Sequence, residues 1–421
     1  MLTSSLPGEG HAQSVSTQVF ETIVPFTYNR GRNESVTDRP RPEYDPVGVN
    51  LGGFTLFPSL TLAGGFTDNV YQSSAKTSSA IATVAPAAIL RSNWAVHGLQ
   101  LNARGDFVRY LAEPVRNEDG WSVGAQGRLD LGADKTLTGQ ARTARLYEAP
   151  FSGTGVPVSA RSLPVQATSF RGAADLRFAR TRAVLSVDHT IFNNLPGRNF
   201  NGDIVTRDTF DRNVTRGTGH IEYGVTPETG VFLEAIYGGT DYRFPLSPSV
   251  ANRDSEDVKV LAGVSFDISA LIRGSFGVGY VKRDYKSPLY QDIKGLSASG
   301  KIEYFPSELT TVTLVFRRDV EDSTFAGSSG YFSNGVSGRI DHEFLRNLLG
   351  NIGVDYEHDS YRGVSAEADI LRVAGGARYL VSPMISIDSN LSYRKRSSTA
   401  QNLVGNNIDE LRGTIGLAIR R

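Results

Sequence analysis

The feature that most constrains this chain is a two-residue alternation of apolar and polar side chains that starts at Gly53 and recurs almost to the last residue. In the stretch from Gly53 to Tyr71, apolar residues occupy even positions and small polar residues dominate odd ones. The apolar set is Phe54, Leu56, Leu60, Leu62, Phe66 and Val70. A period of two indicates an extended strand with one apolar and one polar face. No helical period competes with it over a comparable length, so the sequence predicts an all-β protein.

Further segments repeat this alternation. They are Trp121–Leu131, Phe170–Phe178, Val258–Ile268, Leu296–Tyr304, Phe332–Phe344, Leu371–Tyr379, Ile385–Tyr393 and Leu411–Ile419. Short connections between segments, such as Ala179–Arg182, alternate with long polar ones, such as Asn193–Asn213. Outer-membrane barrels have short periplasmic turns and longer extracellular loops. The sequence therefore predicts a transmembrane, antiparallel, up-and-down β-barrel of about eighteen strands over residues 49–421, in the outer membrane of a Gram-negative bacterium.

The composition excludes several other classes of protein. Only 39% of the 421 residues are hydrophobic, and no run approaches the roughly 18 consecutive apolar residues that a transmembrane helix needs. Lys and Arg together number 44, as do Asp and Glu, so no net charge favours nucleic acid as a partner. The chain has no cysteine, which excludes disulfides and thiolate metal sites.

The aromatic residues favour a membrane barrel over a soluble β-sandwich, which also alternates apolar and polar residues. Six successive hairpins place an aromatic residue on the apolar side, a few residues before a short turn. These residues are Phe178, Tyr223, Phe266, Tyr304, Phe344 and Tyr379. A looser second set, near the long loops, comprises Tyr110, Tyr147, Tyr237, Tyr280, Tyr356 and Tyr393. Aromatic girdles are typical of the two membrane interfaces. The apolar side is therefore predicted to face lipid, and the polar side the lumen.

The predicted lumenal side carries nearly equal numbers of positive and negative charges when the set below is taken with Asp188, Glu234, Lys259, Asp267, Glu343, Asp355, Glu357, Asp388, Arg394 and Arg412. The expected pore-lining residues are Arg104, Asp106, Arg128, Asp130, Arg171, Asp175, Arg177, Arg216, Glu222, Arg273, Lys301, Glu303, Arg339, Asp341, Arg372 and Arg378. Two interpretations remain open: the charges pair across strands and hold the barrel shape, or they bind a polar solute. A lumen of this strand number is too wide for side chains alone to fill. It either conducts or is restricted by loops such as Glu148–Thr168 and Asn193–Asn213.

Catalytic and metal-binding patterns are missing from the sequence. The six histidines are widely dispersed. Asp188 and His189 are sequence neighbours, so on a strand they point to opposite faces. His220 and Glu222 share the lumenal side and could form a hydrogen bond, but no spacing rule fixes a serine nucleophile beside them. No zinc-protease, EF-hand or P-loop motif occurs. The sequence thus predicts a protein that is not an enzyme and needs no metal or other cofactor.

Residues 1–48 precede the alternation and show no sustained period. They cannot bury enough apolar surface to fold alone, so we predict a flexible periplasmic segment. Residues 10–13 could be the end of a signal-peptide cleavage site or part of an ordinary disordered N-terminus. The last part of the segment, Asp38–Pro46, is rich in proline and is expected to be extended. The sequence allows the segment to lie in the lumen, in the periplasm or against a periplasmic partner.

The stretch Arg39–Tyr71 resembles a motif at the start of the barrel in the putative β-barrel porin family, whose members often accompany genes for exopolysaccharide biosynthesis. The matching elements are Arg41-Pro42, Tyr44-Asp45-Pro46, Gly48, the strand start Phe54–Pro58 and Asp68-Asn69-Val70. The resemblance implies an outer-membrane location and a role in exporting or assembling a surface polysaccharide. It offers no catalytic residues to carry over. Outer-membrane strands usually end on an aromatic residue, whereas residues 417–421 read LAIRR.

Three functions are consistent with these features. The first is a passive conduit for export of an exopolysaccharide, fed from the periplasm by partner proteins. The alternatives are a general diffusion porin for small polar solutes and a structural or adhesive barrel with a plugged lumen. The expected partners are outer-membrane lipid and lipopolysaccharide, a polysaccharide substrate and periplasmic export proteins, whereas nucleic acid is not expected.

Overall fold

Alternating side chains and short turns give this chain a wall of long antiparallel strands. The computed structural model describes residues 34–148, 159–245, 247, 250–269, 271–323, 328–401 and 407–421. The wall strands are β2 Phe54–Thr67, β3 Ser79–Ser92, β4 Gly98–Tyr110, β5 Glu118–Asp130, β6 Lys135–Tyr147, β7 Pro164–Phe178, β8 Thr181–Asn194, β11 Arg212–Gly224, β12 Thr229–Tyr242, β13 Ser255–Ile268, β14 Ile272–Tyr285, β15 Ile293–Ser307, β16 Thr310–Asp322, β17 Gly330–Leu345, β18 Leu348–Tyr361, β19 Glu367–Ser382, β20 Ile385–Ser398 and β21 Ile408–Arg420. Three two-residue strands complete the set: β1 Val49–Asn50, β9 Gly197–Arg198 and β10 Ile204–Val205. Within the described ranges, no helix is long and apolar enough to cross a membrane.

The eighteen wall strands close into one antiparallel barrel. Each strand pairs with its neighbours along the chain, and the last strand, β21, pairs with the first, β2. In this closing pair Leu60 lies opposite Ile419 and Phe66 lies opposite Gly413. Closure gives the backbone N–H and C=O groups of the first and last wall strands hydrogen-bond partners, which lipid cannot provide. The predicted fold class, an all-β up-and-down barrel, is therefore confirmed.

The apolar side of the strands is the outside of the barrel. Leu62 and Phe66 on β2, Val187 on β8 and Ile415 on β21 are exposed large hydrophobic residues. The predicted girdle lies on the same side beside the short turns: Phe178, Tyr223, Tyr304, Phe344 and Tyr379 are exposed, and Phe266 is half-exposed. An exposed apolar band of this extent on a folded protein marks a surface that an apolar partner or a membrane covers. Lipid covers it in a transmembrane barrel.

Two residues expected on the lipid side lie inside the extracellular rim. Strand β2 ends at Thr67, and Val70 beyond it is buried against Ile81 and Tyr110. Tyr110, expected in the second aromatic set, is itself buried on the lumenal side of β4. Both predictions were wrong. At Val70 the chain has already left the strand, so the alternation no longer applies. Near its end, β4 carries apolar residues on both faces, so the alternation there does not identify the outer face.

The buried apolar residues form small clusters inside the extracellular rim. Besides the cluster around Tyr110, one cluster joins β7, β8 and β11, a second joins β14 to β17, and a third joins β17 to β19. Their buried members are Val165, Ala167, Phe192, Val214, Val281, Tyr285, Ile293, Val320, Phe332, Tyr331, Tyr361, Ala366 and Ala368. The barrel is thus held by its backbone ladder and by packing at one end of the lumen.

Candidate functional site: the lumen

All residues predicted to line a pore lie on the lumenal side of their strands, opposite the exposed apolar residues. Many of them pair with a neighbour of opposite charge. Representative distances are 2.7 Å for Arg104–Asp106, 2.5 Å for Arg273–Glu303 and 2.9 Å for Arg339–Asp341. Such pairing is what a shape-holding role requires. A role in binding solute stays a prediction for each of these residues.

One part of the lumenal surface is accessible to water. We call the lumenal sides of β4, β5 and β6 the open wall. The Arg128 side chain is 56% exposed, Gln126 and Arg142 are exposed, and the Arg104–Asp106 pair is partly exposed. Away from the extracellular rim, where Val108, Tyr110, Ala144 and Leu146 lie on the lumenal side, the uncharged polar residues are amides and hydroxyls: Gln100, Asn102, Ser122, Gln126, Thr136, Thr138 and Gln140. The space in front of the open wall is therefore polar and hydrated.

A row of amides crosses the open wall along the hydrogen-bonding direction of the sheet. Gln100 lies opposite Gln126, and Gln126 lies opposite Gln140. The next neighbour in the row is Arg171 on β7, which pairs with Asp188 on β8 at 2.9 Å. Amide groups and guanidinium–carboxylate pairs supply both hydrogen-bond donors and acceptors. The row therefore suits a solute rich in hydroxyl groups.

The opposite part of the lumen is filled. We call the lumenal sides of β11 to β18 the packed wall. Arg283 lies between Asp257 and Asp322, and its side chain is only 3% exposed. Phe232 is also buried here, with its ring over Gly263 and Gly277, which leave room for it. Charged groups removed from water in this way must be paired, and further lumenal pairs at this wall meet that requirement.

The ends of β16 and β17 form a hairpin that separates from β15, while β17 stays paired with β18 as far as Tyr331 opposite Tyr361. Pairing between β15 and β16 stops where Ala298 lies opposite Arg318. Pairing between β16 and β17 continues to Asp322 opposite Gly330. We call the described residues 319–323 and 328–332 the inner hairpin, because β15 no longer holds them in the cylinder.

The inner hairpin folds into the lumen. Val320 and Phe332 lie opposite each other in the hairpin and are buried against Val281 and Ile293, which line the lumenal side of β14 and β15. The sequence placed Phe332 on the lipid side, but it is only 1% exposed. That prediction was wrong because the alternation continues along a hairpin that has bent inward, so its outer face covers the inside of the neighbouring strands.

Acidic residues of the inner hairpin bind basic residues across the lumen. The Asp322 carboxylate is 2.5 Å from the Arg283 guanidinium on β14 and 4.0 Å from that of Arg212 on β11. Asp319 accepts a hydrogen bond from Lys259 on β13 at 2.5 Å. Because β11 and β16 are five strands apart, these contacts span part of the lumen. They restrict it on the extracellular side, in front of the packed wall.

Residues 34–48 occupy the periplasmic end of the lumen, also against the packed wall. The buried Val36 donates its backbone N–H to Thr311 Oγ1 at 2.9 Å. The Arg41 guanidinium binds the Glu343 carboxylate at 2.6 Å, and both side chains are buried. This part of the N-terminal segment is thus fixed to the barrel. Residues 1–33 lie outside the described residues.

The described end of this segment is folded into turns. The backbone N–H of Arg39 donates to the Ser35 carbonyl, and that of Tyr44 donates to the Arg41 carbonyl. The expectation of an extended Asp38–Pro46 was wrong. The prolines permit turns as well as extended backbone, and buried contacts with the barrel select the turns.

The five histidines that the structure describes do not form a catalytic grouping. His220 Nδ1 is 3.3 Å from Glu234 Oε2, while Glu222 accepts a hydrogen bond from Ser265 instead. Asp188 faces the lumen and His189 contacts Thr215 at 2.9 Å on the outside, as the strand geometry required. The described residues contain no group of three or more His, Asp or Glu placed to hold a metal ion.

Of the two obstructions, sequence reasoning missed the inner hairpin but allowed the lumen as one of three places for residues 1–48. It offered the loops Glu148–Thr168 and Asn193–Asn213 as a possible restriction, and residues 149–158 of the first lie outside the described residues. Ser159 of the first loop donates a hydrogen bond to the Arg198 carbonyl of the second, and Phe200 of the second contacts Tyr71 between β2 and β3, so the described parts of both loops extend over the extracellular rim. The acidic residues Asp319, Glu321 and Asp322 on one strand end were a weak signal for the inner hairpin. Nothing in the sequence identified basic partners on strands distant in the chain.

The closed wall, the lipid-facing band and the hydrated polar lumen together define a porin-type channel of the outer membrane. Proteins of this class are channels rather than enzymes. The sequence matches the family described as "Putative beta-barrel porin 2" over residues 41–421, and the chain belongs to that family.

Solved structures of outer-membrane proteins are similar to this chain at low sequence identity. OpdK from Pseudomonas aeruginosa is 12% identical, with 87% of this chain and 99% of that chain covered and a TM-score of 0.46. OccAB3 from Acinetobacter baumannii is 11% identical, with the same coverage and a TM-score of 0.48. The siderophore receptor PirA from Pseudomonas aeruginosa is 8% identical, with 89% and 81% covered and a TM-score of 0.48. A comparison with curated protein sequences finds no match.

Proposed function

We propose that this barrel is a passive channel for small polar solutes and that the open wall is their path. The observation that carries the proposal is the contrast in water access within one lumen. Arg128 of the open wall is 56% exposed, whereas Arg283 of the packed wall is 3% exposed. The inner hairpin and residues 34–48 both lie against the packed wall. A solute therefore meets side chains that keep their water along β4, β5 and β6.

The chemistry of the open wall favours solutes of the sugar class. Its uncharged groups are amides and hydroxyls, which exchange hydrogen bonds with hydroxyl groups at little cost. Weak, repeated contacts of this kind allow a solute both to enter and to leave. Outside the barrel, we expect outer-membrane lipid and lipopolysaccharide to cover the apolar band.

Swelling of proteoliposomes in sugars of increasing size tests this function. The full-length barrel should admit a monosaccharide quickly and a trisaccharide slowly. Gln126→Trp places a bulky ring in the path and should slow both, whereas Ala125→Trp adds the same ring one residue away on the lipid side and should not. Absence of swelling with every sugar, in vesicles shown to contain folded barrel, would exclude a diffusion channel and favour a plugged structural barrel.

Export of an exopolysaccharide is the second candidate. The row from Gln100 through Gln140 to Asp188 crosses successive strands, so it offers contacts to more than one sugar unit of a chain. Export also requires periplasmic partners, since the sequence has no nucleotide-binding motif. Deletion of the gene followed by measurement of secreted polysaccharide separates the two candidates. Unchanged secretion together with slower uptake of a sugar would exclude export.

A further inference from the structure

The three lumenal arginines of the open wall differ in their partners. Arg104 donates two hydrogen bonds to Asp106, at 2.8 and 2.7 Å. Arg128 binds Asp130 at 3.1 Å. Arg142 is exposed and makes no ion pair with any carboxylate in the described part of the chain. The first two pairs are neutral as units. The remaining lumenal carboxylate of the wall, Glu118, lies six residues from Gly124 toward the extracellular rim, where it accepts a hydrogen bond from Ser162, so Arg142 carries a positive charge without a carboxylate partner at its own height of the wall.

The neighbours of Arg142 on the adjoining strands are uncharged. Gly124 lies opposite it on β5 and Ser169 lies opposite it on β7. The next positions in the same row are Asn102 on β4 and Thr190 on β8. The guanidinium therefore stands among hydroxyl and amide groups. Its charge is the dominant local source of potential at that height of the open wall.

A second unbalanced cation lies beside the open wall, nearer the periplasmic end. Arg91 on β3 donates a hydrogen bond to Gln100 Oε1 at 3.4 Å and lies 5.8 Å from the centre of the Phe57 ring. It makes no ion pair with a carboxylate among the described residues. Arg91 and Arg142 thus place two positive charges along one hydrated face, whereas Arg273 and Arg283 of the packed wall are buried against carboxylates.

We propose that Arg142, with help from Arg91, makes the channel selective for anions, and that its solutes are sugar acids, which carry a carboxylate as well as hydroxyl groups. This inference rests on the proposed function as a solute channel. A guanidinium binds a carboxylate through two parallel hydrogen bonds, and the amide row next to it can bind the hydroxyls. The formal net charge of the whole chain is zero, so the selectivity comes from where the charges lie.

Reversal potentials of the full-length barrel in planar bilayers, measured across a KCl gradient, test the charge. The wild type should favour chloride, and Arg142→Gln should lower the chloride-to-potassium permeability ratio by about threefold, because one unit charge within a Debye length changes local ion concentrations to that extent. Arg142→Lys should keep the wild-type ratio. Arg91→Gln should act in the same direction as Arg142→Gln. Arg109→Gln removes a charge from the outward side of β4 and should change nothing.

Proteoliposome swelling in glucuronate and in glucose tests the solute class. Glucuronate should enter the wild type faster than glucose, and Arg142→Gln should remove that preference by slowing glucuronate. A wild type without anion preference, or an Arg142→Gln variant that conducts with the wild-type ratio, would overturn the inference and leave the solute channel standing. A wild type that passes neither ions nor sugars would overturn both.

Discussion

The open wall and the packed wall are built from the same kinds of residue, yet they have opposite environments. Both alternate apolar and polar positions, and both carry Arg and Asp or Glu on the lumenal side. Arg128 keeps most of its water, whereas Arg283 is buried between two carboxylates. The difference teaches that alternation specifies which side of the wall a residue occupies. It does not specify whether that side is exposed to water.

Two segments and a few side chains account for the difference. The inner hairpin and residues 34–48 both lie against strands of the packed wall, at its extracellular and periplasmic ends. Large apolar side chains such as Phe232, Leu261 and Phe305 are buried on the lumenal side of the same strands. The open wall carries the amides Gln100, Gln126 and Gln140 on its lumenal side. An asymmetric lumen therefore forms from a wall of uniform architecture.

Removal of the inner hairpin should have the largest effect on this comparison. Residues 320–332 can be replaced by an Asn-Gly turn, because Asp319 and Ser333 are paired directly across the hairpin and this turn suits two-residue connections. Single-channel conductance should rise clearly, since the hairpin no longer occupies the extracellular side of the lumen. The control variant keeps the length of the loop between β4 and β5 but scrambles the order of residues 111–117. An unchanged conductance would show that the hairpin does not limit the path.

Substitution of a paired arginine should distinguish the two walls by stability. Arg283→Ala leaves Asp322 and Asp257 buried without their partner, and we expect it to lower the free energy of unfolding by about 3–5 kcal/mol. Arg128→Ala removes an exposed pair and should cost less than about 1 kcal/mol. Urea unfolding of the detergent-solubilised barrel, followed by tryptophan fluorescence, measures both. Equal losses for the two variants would contradict the division into open and packed walls.

Arg41→Ala tests how firmly the N-terminal segment is held. The substitution removes a buried, charge-assisted hydrogen bond to Glu343, which we expect to cost about 2 kcal/mol. Hydrogen exchange at the Val36 amide, which donates to Thr311, should accelerate by more than about tenfold, while exchange in the wall strands stays the same. Lys76→Ala, which removes exposed ion pairs at the extracellular rim, is the control and should not affect Val36. Unaltered exchange in Arg41→Ala would mean that other contacts hold the segment.

The smallest effect is expected for Gln126→Ala in the open wall. Gln126 is exposed, so its removal should change the free energy of unfolding by less than about 0.5 kcal/mol. Sugar entry should nevertheless change, because the substitution removes the central amide of the row that joins Gln100 to Gln140. Parallel unfolding and swelling measurements check the two halves of this prediction. A large loss of stability would place Gln126 in a packed environment.

Much of the fold was predictable because strand patterning is local. The outward positions of Leu62, Phe66 and Phe178 followed from alternation alone. The exceptions were Val70, Tyr110 and Phe332, all of which lie inside the extracellular rim. There the chain leaves the cylinder, and apolar residues are buried by neighbouring strands instead of lipid. Periodicity cannot distinguish these two apolar surroundings.

The sequence by itself determined an all-β barrel of the outer membrane, its apolar outer band and the set of charges that face the lumen. Only the tertiary structure decided which of those charges are paired, buried or free. The decisive contacts, such as Asp322 with Arg212 and Arg41 with Glu343, join residues far apart in the chain. A local period carries no information about partners at that distance. The packing of the hairpin and of residues 34–48 against one side therefore settled which wall stays hydrated.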